Sequence, residues 1–185
     1  MGAMDRRLLL CALACWPVAH VRAQPAPHFK ISAGELYRGL AKHFPLRFGL
    51  ADLLQLNVSA PRLDLLPQRN KLGAMLRAEA SGRGLRDLPP GELDLVFALR
   101  YERADRTVRA RDPELLDLRL PGLADEARRT LLALLPTLLR EQFGEVVLHR
   151  FAPGELGLAD TMGFEPAGFV VKDDGLLVTF APKPS

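Results

Sequence analysis

Cysteine, tryptophan and long hydrophobic runs are almost absent from this 185-residue sequence once its first 23 residues are set aside. Both cysteines, Cys11 and Cys15, and the one tryptophan, Trp16, lie in that opening segment. The rest of the chain therefore has no thiol for a disulfide, for thiol catalysis or for a Cys-x-x-Cys redox centre. It also has no apolar run near the roughly 20 residues that a membrane-spanning helix needs.

The sequence also lacks a large excess of either positive or negative charge. After the first 23 residues, 22 basic and 21 acidic side chains leave a net charge of +1. Nucleic-acid binding needs a strongly basic face with exposed aromatic side chains, and aromatic residues make up only 6% of the chain. We therefore expect no nucleic-acid partner. The length and the 48% of hydrophobic residues suit one globular domain.

Patterns that carry catalysis or bind a metal or cofactor are also missing. Ser32 is better explained as a helix cap than as a nucleophile, and no serine stands in a G-x-S-x-G turn. The histidines form no i,i+4 pair, and Gly82-Arg83-Gly84 lacks the third glycine of a dinucleotide loop. We expect a protein that is not an enzyme and that has no metal site and no cofactor. A hydrolase with an unrecognised acid–base pair in a pocket is a further alternative.

The first 23 residues have the parts of a secretory signal. Arg6 and Arg7 precede a short apolar centre from Leu8 to Trp16, and small residues lead to an exit at Ala23. We expect export to the periplasm with cleavage after Ala23, followed by a short extended leader over residues 24–28.

A second route of processing competes with this one. Ala12-Leu13-Ala14-Cys15 resembles a lipoprotein box, in which Cys15 would be acylated and become the first mature residue. The protein would then be anchored to a membrane of the cell envelope through lipidated Cys15, and the domain itself would be unchanged.

The clearest local signal begins the mature domain. The Ser32 side chain can accept from the amide three residues on, and Glu35 can reach back to the Ser32 amide, which is a capping box. This pattern predicts a helix from about Ala33 to Phe44, ended by Pro45.

Between Pro45 and Leu120 apolar and polar residues alternate, as in half-buried strands. Pro61 and Pro67 should bound strands that are each short or on a sheet edge, and Asp112-Pro113 should interrupt a strand like a bulge. Short turns such as Ala104–Arg106 favour an antiparallel meander. The predicted strands are Leu53–Val58, Arg62–Leu65, Leu72–Ala80, Glu92–Arg103 and Thr107–Leu120.

A long helix is predicted from about Ala124 to Phe143. Its middle, Leu131 to Leu139, is apolar nearly all round, so we expect cover on several sides by protein or by a bound apolar molecule. Pro136 should kink it. After this helix, the residues from Ala167 to Phe180 predict a closing hairpin with Gly175 at its turn.

Several segments follow a known order along the chain. They are Phe29-Lys30-Ile31-Ser32, Glu35-Leu36, Phe44-Pro45, Val58 to Leu66 around Pro61, Arg111 to Pro113, and the closing hairpin. With the order of elements, they resemble the YceB-like family of bacterial envelope lipoproteins over roughly His28 to Ala181. The resemblance implies the tubular lipid-binding fold of bactericidal permeability-increasing protein and Takeout-type carriers. That is an α+β fold with an N-terminal helix and a long helix wrapped by a strongly curved antiparallel β-sheet, leaving an apolar groove.

We therefore expect a single domain over residues 29–182 that acts as an exported, monomeric binding protein for a lipid or other apolar small molecule. A packed core without a cavity would use the same leucines, so sequence leaves both open. A structural or assembly partner of another envelope protein is the alternative function. The predicted ligand-binding residues are Leu95, Phe97, Leu99, Tyr101, Leu131, Leu134, Leu135 and Leu138.

Five arginines cluster on one predicted hairpin. They could form a basic rim that contacts anionic lipid headgroups at a membrane surface. The favoured interpretation is a solvated strand face balanced by Glu102, Asp105 and Asp112, because the domain is almost neutral. The arginines are Arg100, Arg103, Arg106, Arg109 and Arg111.

Overall fold

The computed structural model describes residues 28–50, 54–82 and 88–183. The predicted signal segment, Cys15 and residues 24–27 of the leader lie outside the described residues, and His28 begins the first strand. The elements are β1 His28–Ser32, α1 Ala33–Ala41, β2 Leu46–Leu50, β3 Leu54–Leu66, a 3-10 helix Pro67–Arg69, β4 Lys71–Ser81, β5 Gly91–Glu102, β6 Thr107–Arg119, α2 Asp125–Phe143, β7 Glu145–Arg150, α3 Gly157–Thr161, β8 Phe164–Lys172 and β9 Gly175–Pro182.

The strands form two antiparallel sheets. Six strands in the order β2-β3-β4-β5-β6-β7 make a strongly curled half-barrel, and β1-β9-β8 make a second sheet. The fold is α+β, as predicted. Side chains from both sheets and from the helices meet in one hydrophobic core. Of the helices in the described ranges, none is long and apolar enough to cross a membrane.

Alternation decides which face of β5 is buried. Leu93, Leu95 and Phe97 point into the core and are at most 1% exposed. Residues two apart share one face of a strand, so this face packs on the helices and on neighbouring strands. The predicted strand over Glu92–Arg103 is thus confirmed with a shift of one residue at each end.

Proline does not end the strand that contains Pro61. The two short strands predicted on either side of it are one strand, β3, whose register against β4 shifts between Ser59 and Arg62. Proline removes only one ladder hydrogen bond, and the register shift accommodates that loss. A second shift, near Asp112-Pro113 in β6, confirms the predicted bulge, and Asp112 there has φ of +51°.

Helix α1 begins with the predicted capping box. The Glu35 amide donates to Ser32 Oγ at 3.3 Å, and the Ser32 amide donates to Glu35 Oε2 at 2.9 Å. The helix ends at Ala41 instead of Phe44, because the His43 and Phe44 amides donate to the Leu40 and Ala41 carbonyls and close a tighter turn before Pro45.

Helix α2 is long, but it buries only one stripe. Four residues spaced four apart are at most 1% exposed, whereas Leu132 is 40% and Leu134 is 37% exposed. On the side of these two leucines, the described protein does not supply the cover that the sequence predicts for this helix. A half-barrel sheet meets a helix on one side, so leucines on the opposite side remain in water. The buried stripe consists of Leu131, Leu135, Leu139 and Phe143.

Phe143 fixes the end of α2 against the sheet. Its ring centroid lies 5.6 Å from that of Phe44, 6.3 Å from that of Phe48 and 6.0 Å from that of Phe97. Aromatic groups at these separations bury large apolar areas with favourable edge contacts. The helix is thereby attached to both β2 and β5.

Candidate functional site

An open cleft of about 830 Å³ lies where the two sheets meet. The inner half of β8 forms one side, and the end of β5 with the turn before β4 forms the other. We call it the inter-sheet cleft and define it by residues from both sides: Arg69, Asn70, Lys71, Ala98, Leu99, Arg100, Tyr101, Arg103, Glu165, Pro166, Ala167, Gly168, Phe169, Ala181 and Pro182.

Asn70 holds the two sides of the cleft together. Its side-chain Nδ2 donates to the Phe169 carbonyl at 2.9 Å, and its Oδ1 accepts from the Val171 amide at 2.8 Å. One amide side chain thus satisfies two backbone groups of β8, as a neighbouring strand would. Asn70 has φ of +51°, a left-handed conformation that asparagine tolerates better than most residues.

The floor of the cleft is apolar. Leu99 and Phe169 are half-buried there, and the ring centroid of Tyr101 lies 6.0 Å from that of Phe151, which is part of the core. Burial raises the pKa of the Tyr101 phenol, so this group is neutral at physiological pH. The floor can therefore cover an apolar chain, with one hydroxyl available at its edge.

Basic side chains surround this floor. Arg69, Lys71, Arg100 and Arg103 line the cleft, together with a single carboxylate, Glu165. The Arg103 guanidinium lies 2.6 Å from Glu165, so that carboxylate is already neutralised. The lining therefore places basic side chains beside an apolar surface, and three of the four are in ion pairs with carboxylates.

The partner of Lys71 lies outside the lining of the cleft. Lys71 Nζ donates to Glu114 Oε2 at 2.7 Å, and this hydrogen bond holds the pKa of the Glu114 carboxyl below its usual range. Arg69 adds a weaker attraction to the same carboxylate. Within the described residues, however, no carboxylate approaches Arg69 within the 4.0 Å of an ion pair.

The structure separates the eight predicted ligand-binding residues into three groups. Leu99 and Tyr101 line the inter-sheet cleft. Leu134 is 37% exposed on the outer side of α2, and Leu138 is half-buried. The other four, Leu95, Phe97, Leu131 and Leu135, are at most 1% exposed in the core.

Of the four core residues, Leu95 borders a small open cleft of about 130 Å³, and all four are at most 1% exposed. A side chain that a water-sized sphere cannot touch has atoms packed against it on all sides. A ligand at these positions would have to displace packed leucines, whereas one in the inter-sheet cleft would displace only water.

The arginines of the β5–β6 hairpin are all ion-paired, and several of the pairs are exposed. Exposed pairs contribute little to stability, but they cancel most of the local field. The favoured interpretation, a solvated and charge-balanced face, agrees with this arrangement. The pairs are Arg100 with Glu102 and Glu145, Arg103 with Glu165, Arg106 with Asp160, Arg109 with Asp105 and Glu145, and Arg111 with Asp112.

The titratable side chains of the inter-sheet cleft are few. Its lining contains Glu165, Tyr101 and basic residues, and no histidine among the described residues. In the same part of the chain, no cluster of three or more His, Cys, Asp or Glu side chains could hold a metal ion. To a bound molecule this lining offers apolar contact, hydrogen bonding and attraction of negative charge.

Sequence reasoning missed the β4 and β8 sides of the cleft. The segment Pro67-Gln68-Arg69-Asn70-Lys71 has turn chemistry, and a left-handed asparagine is typical of such turns. Its partners on β8 lie about 100 positions later in the chain. No local pattern indicates a contact across that separation.

A scan against models of protein families finds none that matches this chain, and a search of curated proteins finds no significant relative.

Proposed function

We propose that the protein is an exported, non-enzymatic binding protein for a lipid or other apolar ligand of the cell envelope, and that the inter-sheet cleft is its binding site. The observation that carries this proposal is the cleft of about 830 Å³ with Leu99 and Phe169 on its floor. Ligand pockets of small molecules typically measure about 300–1,000 Å³. Two of the eight residues predicted from sequence, Leu99 and Tyr101, belong to this site.

The proposed mechanism is passive. An apolar chain that enters the cleft releases water from Leu99, Phe169 and the ligand itself, at about 0.8 kcal/mol for each buried methylene. Because the cleft is open to solvent, part of a bound chain stays wet and the gain per methylene is smaller. We therefore expect reversible binding that suits uptake and release.

The finer part of the fold prediction belongs to this proposal. In the tubular lipid-binding arrangement that the YceB-like resemblance implies, the curled sheet wraps the long helix. The contact of Phe143 with Phe48 and Phe97 on the concave side supports a distant relation of this kind. The exposed Leu132 and Leu134 mean that any wrapping is one-sided in the described chain.

Localisation is likewise part of the proposal. The signal pattern of the first 23 residues supports export to the periplasm, and Cys15 supports anchoring as the second route. In either case we expect a monomer, with the inter-sheet cleft available at the surface.

A bulky substitution in the cleft tests the proposal. Ala167 is exposed and lines the cleft, so Ala167→Trp fills the space without replacing a core residue. Ala133 is exposed on α2, outside the cleft, and Ala133→Trp is the matched control. The full chain, expressed with its leader and purified from the envelope fraction, is analysed by native mass spectrometry and by mass spectrometry of its organic extract.

We expect bound lipid with the wild type and with Ala133→Trp, and a loss of at least about tenfold with Ala167→Trp, since the ring occupies the space of several methylenes. Wild-type protein that carries no lipid and binds none when mixed with lipid would overturn the proposal. Equal occupancy of the two variants would exclude the cleft as the site.

An assembly role in the envelope is the second candidate. Leu158 is 73% and Met162 is 52% exposed, one turn apart along α3 and the residue after it. A contiguous exposed apolar patch can mark a contact with another protein, and these two side chains would form its centre. A lipid-free monomer that binds an envelope protein, with binding lost in Leu158→Ser and kept in Leu132→Ser, would favour this function.

A further inference from the structure

We infer that the ligand of the inter-sheet cleft carries an anionic headgroup, a carboxylate or a phosphate, which Arg69 binds at the β4 side while the apolar tail lies on Leu99 and Phe169. This inference rests on the proposed function and names its ligand class. It begins from the charge of the lining, where four basic side chains face one carboxylate.

Among the described residues, Arg69 is the basic side chain of the lining that has no ion pair, and it attracts the Glu114 carboxylate only at longer range. Lys71 is hydrogen-bonded to Glu114, Arg103 to Glu165, and Arg100 lies 3.5 Å from Glu102. Arg69 is exposed, and its guanidinium has no carboxylate in ion-pair range among the residues described. A guanidinium presents its N–H groups as a planar fork that matches the two oxygens of a carboxylate or phosphate.

The turn keeps Arg69 at the cleft. Arg69 ends the 3-10 helix, and the next residue, Asn70, is hydrogen-bonded to β8 at both ends of its amide. A ligand therefore meets a guanidinium whose backbone is already positioned, so less conformational entropy is lost on binding.

The remaining charges of the cleft favour a ligand with a single negatively charged headgroup. Glu165 repels a second negative charge, although its pairing with Arg103 weakens this effect. The apolar floor should bind an amphiphile more tightly than a free anion, because a free anion gains nothing from contact with Leu99. The cleft thus fits a fatty acid or a single-headgroup phospholipid better than either a neutral hydrocarbon or an inorganic anion.

Isothermal titration calorimetry at pH 7 compares four probes: oleate, oleyl alcohol, dodecyl phosphate and inorganic phosphate. Oleate and oleyl alcohol share a chain and differ in charge, so their ratio isolates the headgroup. We expect wild-type protein to bind oleate roughly tenfold more tightly than oleyl alcohol, and inorganic phosphate far more weakly than dodecyl phosphate, as one partly exposed charge-assisted contact predicts.

Arg69→Gln should weaken oleate binding by roughly five- to tenfold and leave oleyl alcohol unchanged. Arg77→Gln is the matched control, because Arg77 is an exposed β4 arginine outside the cleft, 3.1 Å from Glu79. Its affinities should equal those of the wild type. Raising the salt concentration should weaken oleate binding more in proteins that keep Arg69 than in Arg69→Gln.

Three results would overturn the inference. Equal wild-type affinities for oleate and oleyl alcohol would show that the headgroup charge does not contribute to binding. Equal effects of Arg69→Gln and Arg77→Gln would show that Arg69 does not bind the headgroup. Equal affinities for inorganic phosphate and dodecyl phosphate would show that the apolar tail does not contribute. Failure of the proposed function looks different, since neither oleate nor oleyl alcohol would then bind.

Discussion

Asn70 offers the sharpest test of how the inter-sheet cleft is held in shape. Asn70→Ala removes the donor to the Phe169 carbonyl and the acceptor from the Val171 amide. Phe169 is half-buried, so water can replace the lost donor there. Val171 is only 1% exposed, so its amide loses a partner that water cannot readily replace.

The expected cost follows from these two bonds and from the backbone. An intramolecular hydrogen bond contributes about 1 kcal/mol, and leaving a buried amide unpaired costs about 1–3 kcal/mol. Alanine at φ of +51° adds about 1 kcal/mol, because its Cβ is crowded in the left-handed region. We therefore expect Asn70→Ala to lower the free energy of unfolding by about 3 kcal/mol.

Urea denaturation of three variants separates the contributions. Asn70→Gly loses both hydrogen bonds without backbone strain and should cost about 1 kcal/mol less than Asn70→Ala. Asn70→Asp keeps an acceptor for the Val171 amide but turns a carboxylate oxygen toward the Phe169 carbonyl oxygen. Because this repulsion offsets the retained hydrogen bond, its cost should be close to that of Asn70→Gly. A loss below about 1 kcal/mol for Asn70→Ala, or glycine and alanine variants of equal stability, would refute the reasoning.

Three other perturbations test the packing and the cap. In α1, Gly39→Ala should lower the free energy of unfolding by at least about 2 kcal/mol, because its Cβ would lie 1.9 Å from a β7 carbonyl oxygen. Gly34→Ala would make only ordinary contacts, so it should raise the free energy of unfolding by about 0.5 kcal/mol. In α2, Leu135→Ala should cost about 3 kcal/mol and Leu134→Ala under about 1 kcal/mol, since only Leu135 is fully buried; equal losses in urea denaturation would contradict the one-sided packing. Hydrogen bonds from the Ser32 hydroxyl and amide lower the pKa of the Glu35 carboxyl below 4.5. The stability advantage of wild type over Glu35→Gln should therefore be present above pH 4.5 and fade as the pH falls through the lower folded-state pKa. An advantage that is unchanged in acid would argue against this cap.

Local patterns predicted the elements whose cause is local. The capping box of Ser32 and Glu35 joins groups three residues apart, and the bulge near Asp112-Pro113 follows from one missing donor. The closing hairpin is present as β8 and β9, joined at Asp173-Asp174. Short elements such as β2, β7 and α3 have five or six residues, too few for a period to stand out.

The candidate site could be predicted only in part. Leu99 and Tyr101 follow Phe97 on the inward face of β5, and the alternation selected them correctly as inward residues. The same alternation does not predict that Phe97 lies in the closed core whereas Leu99 lines the cleft. That difference depends on where β8 of the second sheet lies relative to β5. Leu134 was selected because the middle of α2 is leucine-rich on all sides, but a half-barrel covers only one of them.

The amino-acid sequence by itself determined the α+β class, the cap of α1, the strand faces and the two long elements β5 and α2, because each depends on residues a few positions apart. The tertiary structure alone decided that α2 is covered on one side and that Arg69 and Asn70 meet β8 across an open cleft. Those features depend on how far the six-stranded sheet curls and where the three-stranded sheet joins it. Curvature of that kind is a sum of small twists and register shifts over many strands, and no single stretch of sequence specifies it.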